Sequence, residues 1–341
     1  MNKGLILIVS ILWLAPMAQV IAQQEVTVDW LGFAQLTAER IENSQSDFRF
    51  GTERARPRVQ VNGGPFSGVV QLDFAASDLS AERPGTLANV MLDLYADYRF
   101  SDRHRVRLGQ FKTPLGMDFN VPARSLDITK RGMELGLTLN RDLGLMLSGA
   151  IVGDWLSYDL GVFNPPGRSQ ATEFLDSQVG QDTASVARLR FDEGAWHAEA
   201  AYGRAANAGG PVTSAYTTTD IGLRYELQRW RVKGEWIEGR NIRGEGGRSE
   251  RVYYLHGGYQ LRPNLELVAR HYAGRSENGA GTTELSNTYI GFSATLADYG
   301  RMRTRLQANY VIAGGDEISY TGVRGFRDNA LFFQLQVYVA K

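Results

Sequence analysis

The chain has 341 residues, with 37 basic and 37 acidic side chains for a net charge of zero, and it has no cysteine. Balanced charge argues against nucleic acid as a partner, and the missing thiols exclude a disulfide framework and a thiolate metal site. A hydrophobic share of 43% beside 22% charged residues suits a soluble enzyme as well as a membrane barrel, so the order of the residues has to decide.

The first predicted element is a leader. Lys3 precedes an apolar run from Gly4 to Leu14, and the segment ends at Val20-Ile21-Ala22, read as a signal-peptidase site. This is the layout of a secretory signal peptide over residues 1–22. The uninterrupted run is about half of the roughly 20 residues a spanning helix needs. The exported part, 23–341, then carries a net charge of about −1 once Lys3 is removed.

Beyond the leader the recurring signal has a period of two. Leu92, Leu94, Ala96 and Tyr98 share one face, opposite Asp93, Tyr95, Asp97 and Arg99; Leu331, Phe333, Leu335, Val337 and Val339 lie opposite Gln334 and Gln336. Such alternation predicts strands with one apolar and one polar face. In chain order they fall at 26–38, 53–62, 66–77, 88–100, 104–112, 143–153, 155–164, 184–192, 196–205, 217–227, 230–240, 251–261, 264–275, 285–297, 302–313 and 329–340.

A soluble sandwich alternates in the same way, but three features favour an all-β transmembrane antiparallel β-barrel of about sixteen strands. The segments run about ten residues or more, enough to cross a bilayer when tilted. Short turns (Ser101-Asp102-Arg103, Gly153-Asp154, Gln228-Arg229) alternate with longer polar stretches such as 113–142, 165–183, 276–283 and 314–328, as periplasmic turns alternate with outer loops. Aromatic residues sit at strand ends (Trp30, Tyr98, Trp155, Trp196, Trp230, Tyr310, Tyr338), where interfacial girdles form. Sixteen strands leave an aqueous channel.

If the apolar face meets lipid, the other lines the lumen and its charges set selectivity. Basic residues there come in same-face rows: Arg54, Arg56 and Arg58; Arg105 and Arg107; Arg188 and Arg190; Arg231 and Lys233; Arg301, Arg303 and Arg305. Neighbours in a row are roughly 6.6–6.8 Å apart, and guanidinium groups bind anionic oxygens in bidentate fashion. Asp73, Asp93, Asp97, Asp159, Glu226 and Glu235 share these faces, so pairing into a solvated lattice is the competing reading. The longest loop, 113–142, contains Arg124, Lys130 and Arg131 together with Pro114, Gly116 and Pro122. It is expected to fold inward and narrow the bore.

Gly109-Gln110-Phe111-Lys112-Thr113-Pro114-Leu115-Gly116, Arg141-Asp142-Leu143-Gly144, Gly161-Val162-Phe163-Asn164 and Phe66 to Phe74 together resemble landmarks of the phosphate-selective porin O and P family. The resemblance implies a homotrimeric sixteen-stranded channel whose pore arginines and lysines pass anions, phosphate or polyphosphate among them, with Lys112 at the loop entrance. The expected surroundings are outer-membrane lipid and lipopolysaccharide in a Gram-negative cell. No cofactor is expected.

The rival from another class is an outer-membrane hydrolase built on a barrel. The histidines are His104, His197, His256 and His271, and no GxSxG, HExxH or phosphate loop occurs. His256 and His271 lie on strands joined by a short turn and are expected to be able to approach each other. A general or oligosaccharide porin and a surface receptor complete the alternatives; the modest loops favour transport over a receptor.

Overall fold

The computed structural model describes residues 25–44, 48–75, 90–164, 183–205, 215–322 and 324–341. The leader assigned to residues 1–22 lies outside them, as do the loop expected at 79–86 and most of those expected at 165–183 and 205–216.

Sixteen strands form one closed antiparallel barrel: β1 (Thr27–Ile41), β2 (Arg49–Gly63), β3 (Phe66–Leu72), β4 (Met91–Ser101), β5 (His104–Lys112), β6 (Arg141–Val152), β7 (Leu156–Phe163), β8 (Ala184–Glu193), β9 (Trp196–Ala205), β10 (Tyr216–Leu227), β11 (Trp230–Arg240), β12 (Ser249–Arg262), β13 (Leu265–Asn278), β14 (Gly281–Asp298), β15 (Met302–Gly315) and β16 (Ala330–Ala340). Each strand pairs with its sequence neighbours. β1 closes the ring on β16 with Leu31 opposite Ala340 and Ile41 opposite Ala330. Among the described residues no strand is left with an unpaired edge, which is the condition for crossing lipid with strands. Among the described residues no helix is long and apolar enough to cross a membrane.

The outward face is apolar. Leu94, Leu108, Leu145, Leu160, Ile221, Leu223, Leu255 and Ile290 are all exposed. At the end where the short turns gather, aromatic side chains pair between neighbouring strands: Phe66 with Tyr98, Trp155 with Phe191, Trp196 with Tyr225 and Trp230 with Tyr259, at centroid distances of 4.8, 5.7, 4.4 and 4.6 Å. These rings form a girdle at the turn end. Tyr338 does not join it. It shares the inward face of β16 with Gln334 and Gln336 and packs against Phe33, Ala123 and Leu126.

Two further expectations change. The stretch 276–283 is not a loop: β13 and β14 continue through it and meet at a tight hairpin, with Asn278 opposite Gly281. Nor is the inward face polar along its whole length. Toward the long-loop end it carries Val186, Tyr216, Ile237, Val252, Tyr254, Val268, Tyr272, Tyr289, Val311 and Phe332, which pack on Leu115, Met117, Ile128, Met133, Leu137 and Leu139 of the segment between β5 and β6. That segment lies inside the barrel, so these inward positions face protein and are apolar for the ordinary reason that they are buried.

Candidate functional site

The inserted segment starts from the Gly109–Gly116 run, most of whose residues have a mechanical part. Gly109 has φ +133°, and a Cβ there would stand 2.2 Å from the carbonyl oxygen of Leu94, so only glycine passes this close to β4. Gln110 is buried and donates to the carbonyls of Met91 and Leu92 at 2.9 and 3.1 Å. Phe111 meets Phe163 edge-on at 5.4 Å. Phe163 in turn occupies space that a side chain at Gly144 or Gly161 would fill, since a Cβ at either would lie 2.4 Å from its ring. Lys112 points its ammonium at the carbonyls of Phe119 and Val121. Thr113 closes the segment's base through its N–H and hydroxyl, both donated to the Asn140 carbonyl at 2.9 Å.

Inside the bore the segment makes one helical turn, α1 (Met117–Asn120), and 3-10 turns at Ala123–Ser125 and Met133–Leu137. The wall grips it from many sides. Glu235 accepts the N–H groups of Met117 and Asp118 at 3.0 and 2.9 Å, and Asp220 accepts that of Gly116 at 3.1 Å. Gln307 and Arg305 donate to the Leu126 carbonyl, Gln35 to that of Ala123, Gln336 to that of Arg124, and Gln334 to that of Thr129. Lys130 reaches Glu53 at 2.5 Å and Glu39 at 3.0 Å. Glu53 is available because a bulge in β2 leaves it without a partner on β1 between Thr52 and Arg54.

Asp127 is the centre of the attachment. Its carboxylate is 2% exposed and receives Arg231 Nη1 at 2.9 Å, Lys233 Nζ at 2.7 Å and Arg270 Nη2 at 2.9 Å. Burial alone would raise the Asp127 pKa, but the cations around it outweigh that and hold it well below the usual carboxylate range. Arg270 is fully buried, also reaches Asp118 at 3.2 Å, and lies over the Tyr254 ring at 4.5 Å. Burial, with the Asp118 charge adding to it, pushes the pKa of Glu134 up.

Open space remains on one side of the inserted segment, beside β1 to β8. A cavity of about 280 Å³ is lined by nine cationic side chains (Arg56, Arg58, Arg105, Arg107, Lys112, Arg124, Arg141, Arg188, Arg190) and two carboxylates, Asp93 and Asp159. Through Arg105 and Arg190 it adjoins a space of about 270 Å³ beside the Asp102-Arg103 turn. Through Arg188 and Arg190 it adjoins one of about 480 Å³ that also touches His197, Arg224, Arg231 and Lys233 together with the carboxylates Asp127, Glu199 and Glu226.

The predicted basic residues divide by what they touch. Arg56 pairs with Asp73 at 2.7 Å, Arg107 with Asp97 at 2.7 Å, and Arg188 with Asp159 at 2.8 Å; Arg190 stands 3.4 Å from the same Asp159. Arg107 also stacks on Tyr95 at 3.8 Å. Arg58 donates to Gln60 at 2.9 Å, and Arg124 lies over Tyr338 at 5.8 Å. Arg58, Arg105 and Arg124 have no carboxylate in ion-pair range among the described residues. Lys112, Lys130, Arg131, Arg231, Lys233 and Arg305 are engaged in holding the segment, Arg131 through the carbonyls of Asp118 and Val121. Arg54 is buried against Gln35 and Glu53. Arg303 pairs with Asp298 at the turn end. Arg301 is not in the row expected for it, because it lies in the turn before β15 and is exposed.

The histidines do not meet. His256 stands opposite Arg270 and faces inward, whereas His271 stands opposite Leu255, faces outward and contacts Thr288 Oγ1 at 2.8 Å. Adjacent positions on paired strands point to opposite faces. Arg270 and Asp220 lie outside the basic rows and the acidic positions that the alternation assigns to the lumen; their signal is a charge on the inward parity of an otherwise apolar stretch, Val268-Arg270-Tyr272 for the first.

The Gly109–Gly116 run, Arg141–Gly144 and Gly161–Asn164 thus form the hinge of an inserted segment beside a basic path. Residues 61–186 match the family described as phosphate-selective porin O and P. All the porin O and P landmarks read from the sequence fall inside the matched span. No curated protein matches the sequence. Among solved structures, an anion-selective porin from Comamonas acidovorans is similar at 13% identity and a TM-score of 0.67, over 94% of this chain and 100% of that one. The trimer form of OmpT, an outer membrane protein of Vibrio cholerae, gives 13% and 0.65 over 93% and 99%. The outer membrane channel DcaP of Acinetobacter baumannii gives 12% and 0.62 over 93% and 97%. At these identities the likeness is one of fold, the fold of outer-membrane barrels.

Proposed function

We propose that the protein is an outer-membrane porin whose off-centre, water-filled path passes small solutes down their own gradients with a bias toward anions, phosphate among them. The observation that carries the reading is the lining of the cavity beside β1 to β8, with nine cations and two carboxylates. Arg56, Arg107 and Arg188 are partly neutralised by carboxylates, so among the described residues the attraction for an anion rests on Arg58, Arg105 and Arg124. In a lumen of this kind a charged side chain acts at close range on a partly dehydrated ion, where screening by salt is weakest. The match to the porin O and P family and the likeness to an anion-selective porin support a channel over a hydrolase. The assembly that goes with this reading is a homotrimer embedded by its apolar belt in outer-membrane lipid, with residues 1–22 removed on export.

The test is the zero-current potential of the purified protein in a planar bilayer under a KCl gradient, repeated with added phosphate. A potential favouring chloride, with conductance blocked by phosphate, is expected. A weak or cation-favouring potential without block would refute the anion reading and leave a general porin. Elution as a monomer in light scattering would refute the trimer.

A further inference from the structure

We propose that Asp220 and Glu235 share one proton, carried on Asp220 and donated to the Glu235 carboxylate, and that this acid pair positions the first turn of the inserted segment. On the inward face β10 and β11 set Gly222 opposite Glu235 and Asp220 opposite Ile237, so the two acids are diagonal neighbours beside Gly222. Asp220 is fully buried and Glu235 is 4% exposed. Their side chains are in hydrogen-bond contact.

The backbone of the segment uses three of the four carboxyl oxygens. Glu235 Oε1 accepts the N–H of Met117 at 3.0 Å, Glu235 Oε2 that of Asp118 at 2.9 Å, and Asp220 Oδ2 that of Gly116 at 3.1 Å. Asp220 Oδ1 is buried and receives a hydrogen bond from no described donor. Two ionised carboxylates in contact inside a protein repel each other, and such a pair keeps one proton. Since the other three oxygens already accept N–H groups, the proton belongs on Asp220 Oδ1, where it is donated to Glu235 and leaves Glu235 as the carboxylate. The groups facing the pair are Glu199 from β9, Arg188 from β8, Tyr254 from β12, and Asp118 and Glu134 from the segment. Arg188 is taken by Asp159 at 2.8 Å and Glu199 at 3.5 Å, and Glu199 also meets His197 at 3.4 Å. Among the described residues no basic side chain is in ion-pair range of Asp220 or Glu235, and Lys233, two positions before Glu235, is bound to Asp127. Surroundings so short of positive charge keep the proton in place.

The wall and the segment are shaped for this contact. A Cβ at Gly222 would lie 2.8 Å from the Cβ and Sδ of Met117, so the bare strand is the platform on which Met117 rests, beside Glu235. Gly116 has φ +89°, and a Cβ there would stand 2.9 Å from Thr138 Cγ2. That left-handed residue turns three successive N–H groups, of Gly116, Met117 and Asp118, toward the acid pair. Asp220 and Glu235 are therefore positioning residues for the segment inside the bore, and they act whichever ions the bore prefers.

The experiment compares D220N, D220A and E235Q with the wild type, as full chains in detergent. An asparagine amide supplies a permanent donor to Glu235 and an oxygen for the Gly116 N–H, so D220N imitates the neutral acid. Alanine removes both contacts, and glutamine at 235 sets an amide N–H against a backbone N–H. The chain has no cysteine, so M117C placed in every background reports the seat through its rate of labelling by a water-soluble maleimide. When reclosing outpaces labelling, that rate follows the open population. D220N is expected to label within about twofold of the wild-type background, and D220A and E235Q about tenfold or more faster. The infrared difference spectrum of wild type minus D220N, at neutral pH, should contain the C=O stretch of a protonated carboxylic acid. A heat-dependent shift in electrophoretic mobility verifies that each variant is folded, and D220N with its spectrum decides the matter if D220A does not fold. Labelling of D220N as fast as D220A, or a difference spectrum without the acid band, would overturn the proposal by showing Asp220 ionised. Wild-type labelling in E235Q with fast labelling in D220N would overturn it in favour of a proton on Glu235, and wild-type labelling in D220A would overturn the positioning role.

Discussion

Replacing Asp127 by asparagine should unseat the segment inside the barrel. The carboxylate receives Arg231, Lys233 and Arg270 within 2.9 Å, and its loss leaves Lys233 and Arg270 buried at 6% and 0% side-chain exposure. Removing one partner of a buried pair costs about 3–5 kcal/mol, chiefly because the other charge is left without compensation. Arg270 keeps Asp118 at 3.2 Å, so the lower end, about 3 kcal/mol, is the expected penalty. That corresponds to an increase of roughly a hundredfold in the population with the segment displaced. Trypsin reports this directly, because Lys130 and Arg131 are enclosed when the segment is seated. When reclosing outpaces cleavage, the cleavage rate follows the open population. Faster cutting at these residues and noisier single-channel currents are expected for D127N, and K233M added to it should recover part of the loss as a coupling of about 1 kcal/mol or more. Wild-type proteolysis and current noise in D127N would refute the idea that this carboxylate holds the segment.

The other expectations concern the path, the hinge and pH. R105Q and R58Q should each move the zero-current potential toward cations and weaken phosphate block, by about twofold to tenfold per charge, whereas R303Q, at the turn end and paired with Asp298, should change neither measurably. G109A forces a Cβ to within 2.2 Å of the Leu94 carbonyl at φ +133°; it should lower barrel stability by about 3 kcal/mol or more in denaturant titration. The Asp127 pKa is depressed in the native state, so its contribution is complete above the ordinary carboxylate value of ~3.9 and disappears as pH falls through the native one. The difference in current noise between D127N and the wild type, which isolates this carboxylate, should thus stay constant from about pH 7 to about pH 5 and shrink only below about pH 4.

The barrel was legible because membrane strands advertise themselves: Leu331 to Val339 alternates without interruption, and outward side chains must be apolar wherever lipid is the solvent. Alternation also placed Asp73, Asp93, Asp97 and Asp159 on the arginine face, and these are the partners of Arg56, Arg141, Arg107 and Arg188. It failed where the inward face meets protein, since Val252, Tyr254 and Tyr272 point into the bore yet read as lipid-facing residues of the wrong parity. It failed again for Tyr338, an aromatic at a strand end that turns inward to cover Arg124.

By itself the sequence determined the strands, their faces and the basic rows, because each depends on neighbours two residues apart in the chain. Only the tertiary structure decided which basic residues remain to meet a solute. Lys233 and Arg270 converge on Asp127 from two strands, across sequence separations of 106 and 143 residues, and no local pattern encodes a contact that exists only once the ring has closed around the inserted segment.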